Sequence, residues 1–334
     1  MKLGTGLFTG QRRPNDDRSM TAIYDEIVEL GRAAEESGLD SAWVSEHHFA
    51  ADGYLSGSLP TLASLATATR DIEIGPCVLL APLYDSIRVA EDAATVSLLA
   101  DGRLTMGLSI GYRDREFDGF GVPKDERVAR TVEAVEVLQS AWSDGPLGFD
   151  PDFHPADPTV DVTPKPDDSP PIVLGGGAKP AVRRAARLGD GWVAPSLLSM
   201  AGLERRVEDI RSVREAEGLD GEFTTYVLQH GFVGESRAAA WDAIRDGYLY
   251  IQRKYAEWSS GEPIDALPAE RRAELEEQAI VGTPEEVLER LDAYRDALGD
   301  DIHVILRTYH PGIGTDRMLT CLERLGDEVV PNLP

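Results

Sequence analysis

Residues 45–57 read SEHHFAADGYLSG. A carboxylate, Glu46, precedes two adjacent histidines, His47 and His48, and all three follow the apolar AWV of residues 42–44. Imidazole changes charge near neutral pH, so a histidine beside a carboxylate suits proton transfer to or from a bound ligand. Side chains alternate along an extended strand end, so one histidine faces the site while the other packs outward. A metal site and a purely structural pair are the alternatives. No His, Cys, Asp or Glu set at ligand spacing accompanies the dipeptide, which argues against metal.

A second stretch, LGGGAKPAVRRAARLGDGW at 174–192, sets Gly175, Gly176 and Gly177 after an apolar run. Pro180 then opens a helix at a position proline favours. Exposed backbone N–H groups at a helix start suit a phosphate, with Ala178 at the turn and Lys179 adding a point charge. The alternative is a tight strand-to-helix turn that needs positive φ. GPCVLLAP at 75–82 places Pro76 inside a strand-like run, which marks an irregularity. GLSIGYRDREFDGFGVP at 107–123 reads as a strand running into a loop packed by Phe117 and Phe120.

These residues need a frame. Apolar and amphipathic runs alternate, predicting strands at 3–8, 41–46, 72–80, 103–110, 171–176, 191–195, 224–233 and 302–308. Helices are predicted at 20–38, 60–70, 87–101, 127–142, 180–188, 201–217, 284–298 and 315–328. Eight strands, nearly all followed by a helix, imply parallel pairing and right-handed crossovers. The expectation is an α/β fold, one (β/α)8 TIM barrel over residues 1–334; no GxGxxG follows the first strand to suggest a dinucleotide site.

Catalytic groups of such barrels lie at the C-terminal strand ends. Glu46, His47 and His48 fall there on the second strand, Tyr112 and Arg113 on the fourth, Gly175–Gly177 on the fifth, and Arg307, Tyr309 and His310 on the eighth. Two insertions are expected. Residues 143–170, after the fourth strand and its helix, are rich in Pro, Asp and Gly and form an extended excursion. Residues 234–282, after the seventh strand, form a lid-like insertion. Its aromatic half, with Tyr248, Tyr250, Tyr255 and Trp258, is expected to bound the substrate pocket, and PAERRAELEEQ to face solvent; a solvated helical decoration is the alternative.

Asp and Glu total 59 against 33 Lys and Arg, a net charge of −26, and the acidic residues are scattered. Such a surface repels nucleic acid and anionic membranes. Arginine far outnumbers lysine. This composition resembles the proteins of salt-loving organisms. No apolar run approaches about 18 residues, so no membrane helix is expected. MKLGTGLFTG lacks signal-peptide organisation, and a cytoplasmic protein is expected. Neither Cys77 nor Cys321 sits in a CxxC, so neither a cysteine zinc site nor a disulfide framework is expected.

WVSEHHF, LYDSIRVAEDAATVSLLADGRLTMGLSIGY, REFDGFGVP, PIVLGGGAKPAVRRAARLGDGW and VGTPEEVLERLDAYRD, in this order, resemble the bacterial luciferase-like family of flavin-dependent oxidoreductases. The resemblance covers nearly the whole chain. It implies a barrel, usually dimeric, that binds reduced FMN or the deazaflavin coenzyme F420. It makes His47 the catalytic histidine beside the flavin, exchanging a proton with flavin or substrate, with Glu46 and His48 orienting the site. It implies a cofactor site of Cys77, Val78, Ser109, Tyr112 and Gly175–Lys179, with a non-prolyl cis peptide at Cys77-Val78. The substrate side would hold Arg113, Arg307 and Tyr309 with the aromatic residues of 234–282, where the family has a mobile loop. One departure is Ile110, where luciferase itself carries an arginine on the flavin phosphate; bioluminescence is therefore not expected. The leading expectation is an FMN-dependent monooxygenase acting on a small organic substrate, fed by a separate flavin reductase. The alternative is an F420-dependent hydride-transfer dehydrogenase or reductase. A non-catalytic flavin-binding protein is a third class.

Overall fold

The computed structural model describes residues 1–196 and 198–333. Its strands are β1 (Lys2–Phe8), β2 (Ser41–Val44), β3 (Glu73–Pro76), β4 (Leu79–Leu80), β5 (Met106–Ser109), β6 (Ile172–Gly175), β7 (Gly191–Ala194), β8 (Thr224–Val233), β9 (Ile280–Gly282) and β10 (Ile302–Arg307). The main path runs β3-β2-β1-β10-β8-β7-β6-β5-β4, with every pair parallel. β3 and β4 are two pieces of the run expected at 72–80. Pro76 has no N–H to donate, and Cys77 N instead donates to Val44 O at 2.7 Å. β4 pairs with β5, and Ile74 bridges Leu104 just ahead of β5, so the two ends of the path meet and the barrel is nearly closed. Gly107 makes that approach possible: a Cβ there would lie 2.1 Å from Pro76 O.

The helices are α1 (Met20–Glu36), α2 (Ser58–Ala68), α3 (Ser86–Leu99), α4 (Asp114–Phe120), α5 (Arg127–Trp142), α6 (Lys179–Leu188), α7 (Met200–Glu217), α8 (Arg237–Ser260), α9 (Ala269–Gln278), α10 (Pro284–Leu298) and α11 (Thr315–Arg324). Five of them, α1, α3, α7, α8 and α10, start where a side chain satisfies a free N–H group of the first turn. Asp85 accepts from Ile87 N and Arg88 N at α3, and Thr283 and Glu286 form a reciprocal box at α10. Their apolar stripes pack on the outward strand residues, burying Ile27, Leu62, Val135 and Val287 against Leu3, Ile74 and Leu174. The inward residues Leu7, Trp43, Cys77, Val173, Val193, Tyr226 and Ile305 fill the barrel, so it is a packed core rather than a pore.

Two segments differ from expectation. Residues 234–282, expected as a lid-like insertion, include a helix in the barrel's own alternation: α8 follows β8, and β9 pairs with Gly231–Val233 at the end of β8. The charged half does form α9, of which only Leu275 is buried. α4 was not foreseen, because seven residues carrying Gly119 and two aspartates look like a loop. Residues 143–170 carry neither helix nor strand.

Candidate active site

The loop after β2 turns its two histidines to opposite sides. His48 Nε2 lies 3.0 Å from Glu46 Oε1, and its ring meets Phe120 edge-on. Glu46 also accepts from Ser58 Oγ at 2.8 Å and Leu80 N at 3.3 Å. Glu46 and His48 therefore tie the loop to α2 and β4.

His47 points the other way. Its Nδ1 lies 2.8 Å from Glu116 Oε1 on α4. The same oxygen accepts from His48 N at 2.9 Å and Arg113 Nη1 at 3.1 Å. Glu116 has no exposed surface. Burial pushes its carboxyl up, but the bonds from His47 and His48 N and the nearby Arg113 charge outweigh this and hold it below the usual range. An ionised Glu116 accepts the Nδ1 proton, which leaves Nε2 as the free site of the neutral ring. Four rings surround that imidazole: Trp258 at 4.8 Å between centroids, Tyr54 at 4.9 Å, Tyr112 at 5.6 Å and Tyr255 at 5.9 Å. Burial raises the Tyr54 and Tyr112 phenols, so both stay protonated donors.

α8 supplies two of those rings. Tyr255 Oη lies 3.0 Å from Tyr54 Oη and accepts from Arg307 Nη1 at 3.2 Å. Trp258 stacks under the Arg113 guanidinium, whose Cζ lies 4.1 Å from the ring centroid. Outside Trp258 lies a cleft of about 1090 Å3, lined by Arg12, Phe49, Asp52, Arg113, Tyr250 and Trp258. His47 does not line it, so Trp258 stands between the histidine and this opening.

The other aromatic candidates lie elsewhere. Tyr248 is buried, stacked 4.0 Å from the His230 ring, which lies 3.1 Å (Nδ1 to Nε2) from His310. Tyr250 donates to Asp52 at 2.9 Å. Tyr309 packs its ring edge on Phe8. None of these three has a ring contact with His47; of the aromatic half expected to bound the substrate pocket, Tyr255 and Trp258 lie against His47, Tyr250 lines the cleft and Tyr248 packs on His230. Positions 248, 255 and 258 share a helical stripe, but that stripe runs along the barrel from one partner to another. Arg113 donates at 2.7 Å to His48 O, so it holds the loop as well as facing the pocket.

The glycine turn sits across the mouth. α6 has Ala178 at its N-cap and no capping side chain; Pro180 has no N–H and Ala181 N already donates to Ala178 O at 2.9 Å, so donors for a ligand come from the turn itself, up to Lys179. Gly176 has φ of +141°, and a Cβ there would come within 2.8 Å of Ala181, so the turn itself demands glycine. A Cβ on Gly175 would lie 3.3 Å from Val78, which puts the turn beside the Cys77-Val78 peptide, and that peptide is cis. Burial pushes the Cys77 thiol up to about 12, so it is no nucleophile. Lys179 is paired with Asp209 at 3.0 Å. Ser109 Oγ accepts from Gly111 N at 3.4 Å. Among the described residues no group of three or more His, Cys, Asp or Glu is placed to hold a metal ion.

Sequence reasoning missed Glu116, Tyr54, Ser58 and Asp52. The signal for Glu116 was present: it stands three residues after Arg113, on the same helical face.

Three comparisons bear on this arrangement. The flavin-dependent trigonelline monooxygenase, oxygenase component, of Acinetobacter baylyi is 24% identical over 344 residues, covering 97% of this chain and 94% of that protein. An F420-dependent glucose-6-phosphate dehydrogenase of Kineococcus radiotolerans is 28% identical, covering 92% and 93%. The crystal structure of monooxygenase RslO1 from Streptomyces bottropensis superposes with a TM-score of 0.86 at 23% identity, over 99% of both chains, and shows the same fold. The family model described as luciferase-like monooxygenase matches residues 1–301, and the chain belongs to that family.

Proposed function

We propose that this chain is the oxygenase of an FMN-dependent monooxygenase that takes reduced flavin from a separate reductase and acts with O2 on a small organic substrate. The observation that carries this reading is His47, fixed through Nδ1 by the buried Glu116 and boxed by four aromatic rings at the barrel mouth. The name of the Acinetobacter relative, an oxygenase component, supports the separate reductase.

The residues present fit a flavin phosphate. The turn from Gly177 to Lys179 offers backbone N–H donors at the positive end of the α6 dipole. Val78, with Ser109 and Tyr112, would border the ring. When bound, reduced FMN supplies the electron pair and the activation of oxygen. His47 Nε2 accepts or returns a proton, Glu116 keeps the tautomer and offsets the imidazolium charge, and Tyr54, Tyr112, Tyr255 and Trp258 exclude water.

The second reading is F420-dependent hydride transfer. It is favoured by Ile110, which leaves the cradle without the arginine that holds the flavin phosphate in luciferase, and by the Kineococcus relative. Anaerobic equilibrium binding of reduced FMN and of F420, followed by oxygen uptake, separates the two. Tight binding of reduced FMN with oxygen consumption is expected; binding of F420 alone would replace the first reading by the second. A homodimer in the cytoplasm of a salt-rich cell belongs to the same proposal, supported by the scattered acidic surface. Sedimentation and unfolding across a range of KCl concentrations test it.

Two predictions arise at this site. Ala178→Asp gives α6 a capping carboxylate at an N-cap whose backbone is already extended. It should hold or raise stability, by about 0.5–1 kcal/mol, yet weaken flavin binding at least about tenfold by charge repulsion. Unchanged affinity would leave the glycines as a plain turn. Trp258→Ala opens the aromatic box to the cleft. Flavin binding should persist, while product formed per O2 consumed falls several-fold and hydrogen peroxide appears. Full coupling in this variant would remove the lid role of α8.

A further inference from the structure

Arg307, at the C-terminal end of β10, is 1% exposed in the middle of the barrel mouth. Its guanidinium meets two neutral oxygens: Nη1 donates to Tyr255 Oη at 3.2 Å, and Nε donates to Tyr309 O at 3.4 Å. Nη2 has no partner among the described residues. A fully buried cation without an anion is costly, and side chains that bear such a charge normally meet a carboxylate. Among the described residues nothing nearby supplies one. The titratable groups around it are Tyr255, Tyr54 and Tyr309, with Cys77, His230 and His310; burial keeps the Tyr54 and Tyr309 phenols and the Cys77 thiol protonated and the two histidines neutral, and the Arg307 charge further disfavours protonation of those histidines. Nη1 and Nη2 form one edge of the planar fork, the edge that grips a planar anion through two parallel bonds. One half of that edge is held by a tyrosine hydroxyl and the other half is free.

Resting on the flavin-dependent reading above, we propose that Arg307 recognises an anionic group of the bound ligand, a carboxylate on the organic substrate, and that the Tyr255 hydroxyl holds this place until the anion arrives. The carboxylate takes both Nη1 and Nη2 and displaces Tyr255. Tyr255 lies one helical turn from Trp258 on α8, and both rings touch His47. Displacing the one shifts the face of the helix that covers the catalytic histidine. Substrate charge would thus be read at the same point that opens the box, and neutral analogues would fail to open it. The other source of a planar anion in this place is the pyrimidine edge of a reduced flavin, whose N1–C2=O system carries charge.

The test uses the full chain at constant salt, with benzoate and benzamide as probes, read by calorimetry and by tryptophan fluorescence. Benzoate should bind at least about tenfold more tightly than the isosteric amide and perturb the fluorescence. Arg307→Met should weaken benzoate binding about 30-fold or more and leave benzamide unchanged, with Arg307→Lys intermediate because it keeps the charge but loses the fork. Tyr255→Phe, which deletes the competing hydroxyl, should strengthen benzoate binding several-fold; this and the wild-type comparison decide the matter if Arg307→Met fails to fold. Anaerobic titration with oxidised and reduced FMN forms the other arm. A loss in Arg307→Met confined to reduced FMN assigns the anion to the flavin and overturns the substrate assignment. Equal binding of benzoate and benzamide, with flavin affinity unchanged in Arg307→Met, overturns the inference altogether. Benzoate recognition through Arg307 in a chain that binds neither flavin would keep this inference while removing the proposed function.

Discussion

His47→Ala lowers turnover by about 10²–10⁴-fold, the range expected for loss of a positioned general acid–base group. The reason is geometric. His47 Nδ1 is committed to Glu116, so only Nε2 can exchange a proton, and the surrounding rings leave the imidazole buried. Flavin affinity should change little, because the cradle at α6 lies across the mouth. Glu116→Gln keeps the shape but presents an amide to Nδ1 and removes the negative charge behind the ring. It should cost a large part of the same factor. The double variant should be scarcely worse than His47→Ala alone, since Glu116 acts through the histidine. Stopped-flow turnover of the three variants with saturating reduced flavin measures this. Near-normal kcat in His47→Ala would refute the assignment, and strict additivity would give Glu116 a separate role.

The second large effect is a loss of stability in mild acid. His230, His303 and His310 are buried and neutral. Burial lowers all three, His303 and His310 to about 3, and the Arg307 charge adds to the effect at His230 and His310. Each folded pKa lies below the ordinary value, so protonation favours the unfolded chain. The contribution is therefore fully present above about pH 6.5 and is lost as pH falls from there towards the folded values. Three such groups cost about 4 kcal/mol between pH 7.5 and pH 5.5, a large share of an ordinary domain's 5–15 kcal/mol. The surroundings support the sign. His230 faces His310, Gln252, Tyr248 and Arg307, with no carboxylate to stabilise a proton. His303 bonds Ser41 and lies 4.0 Å from Glu73, whose own carboxyl is pushed up by burial and works in the opposite sense. Urea unfolding at the two pH values reads the difference. A change under about 1 kcal/mol would mean that these histidines protonate in place.

Much of this protein was legible in the order of its residues. The alternation of apolar strands and amphipathic helices is a local property, because periodicity and turn chemistry involve neighbours a few residues apart. It yielded the barrel, and with it the mouth at which Glu46, His47, His48, Gly175–Gly177 and Arg307 gather. The glycine turn before α6 was equally local, since Gly176 must adopt φ of +141° whatever surrounds it. What the tertiary structure alone decided is which groups meet. Glu116 stands 69 residues from His47, and only the packing of α4 over the end of β2 makes it the partner that sets the tautomer. Tyr248 and Tyr255 look alike in sequence and share a helical stripe, yet docking of α8 buries one on His230 and lays the other over His47. Arg307 reads as one more basic residue at a strand end. Its charge lacks an anion because barrel closure surrounds it with tyrosines and neutral imidazoles, and such long-range neighbours follow from strand order and helix docking, which no local pattern encodes.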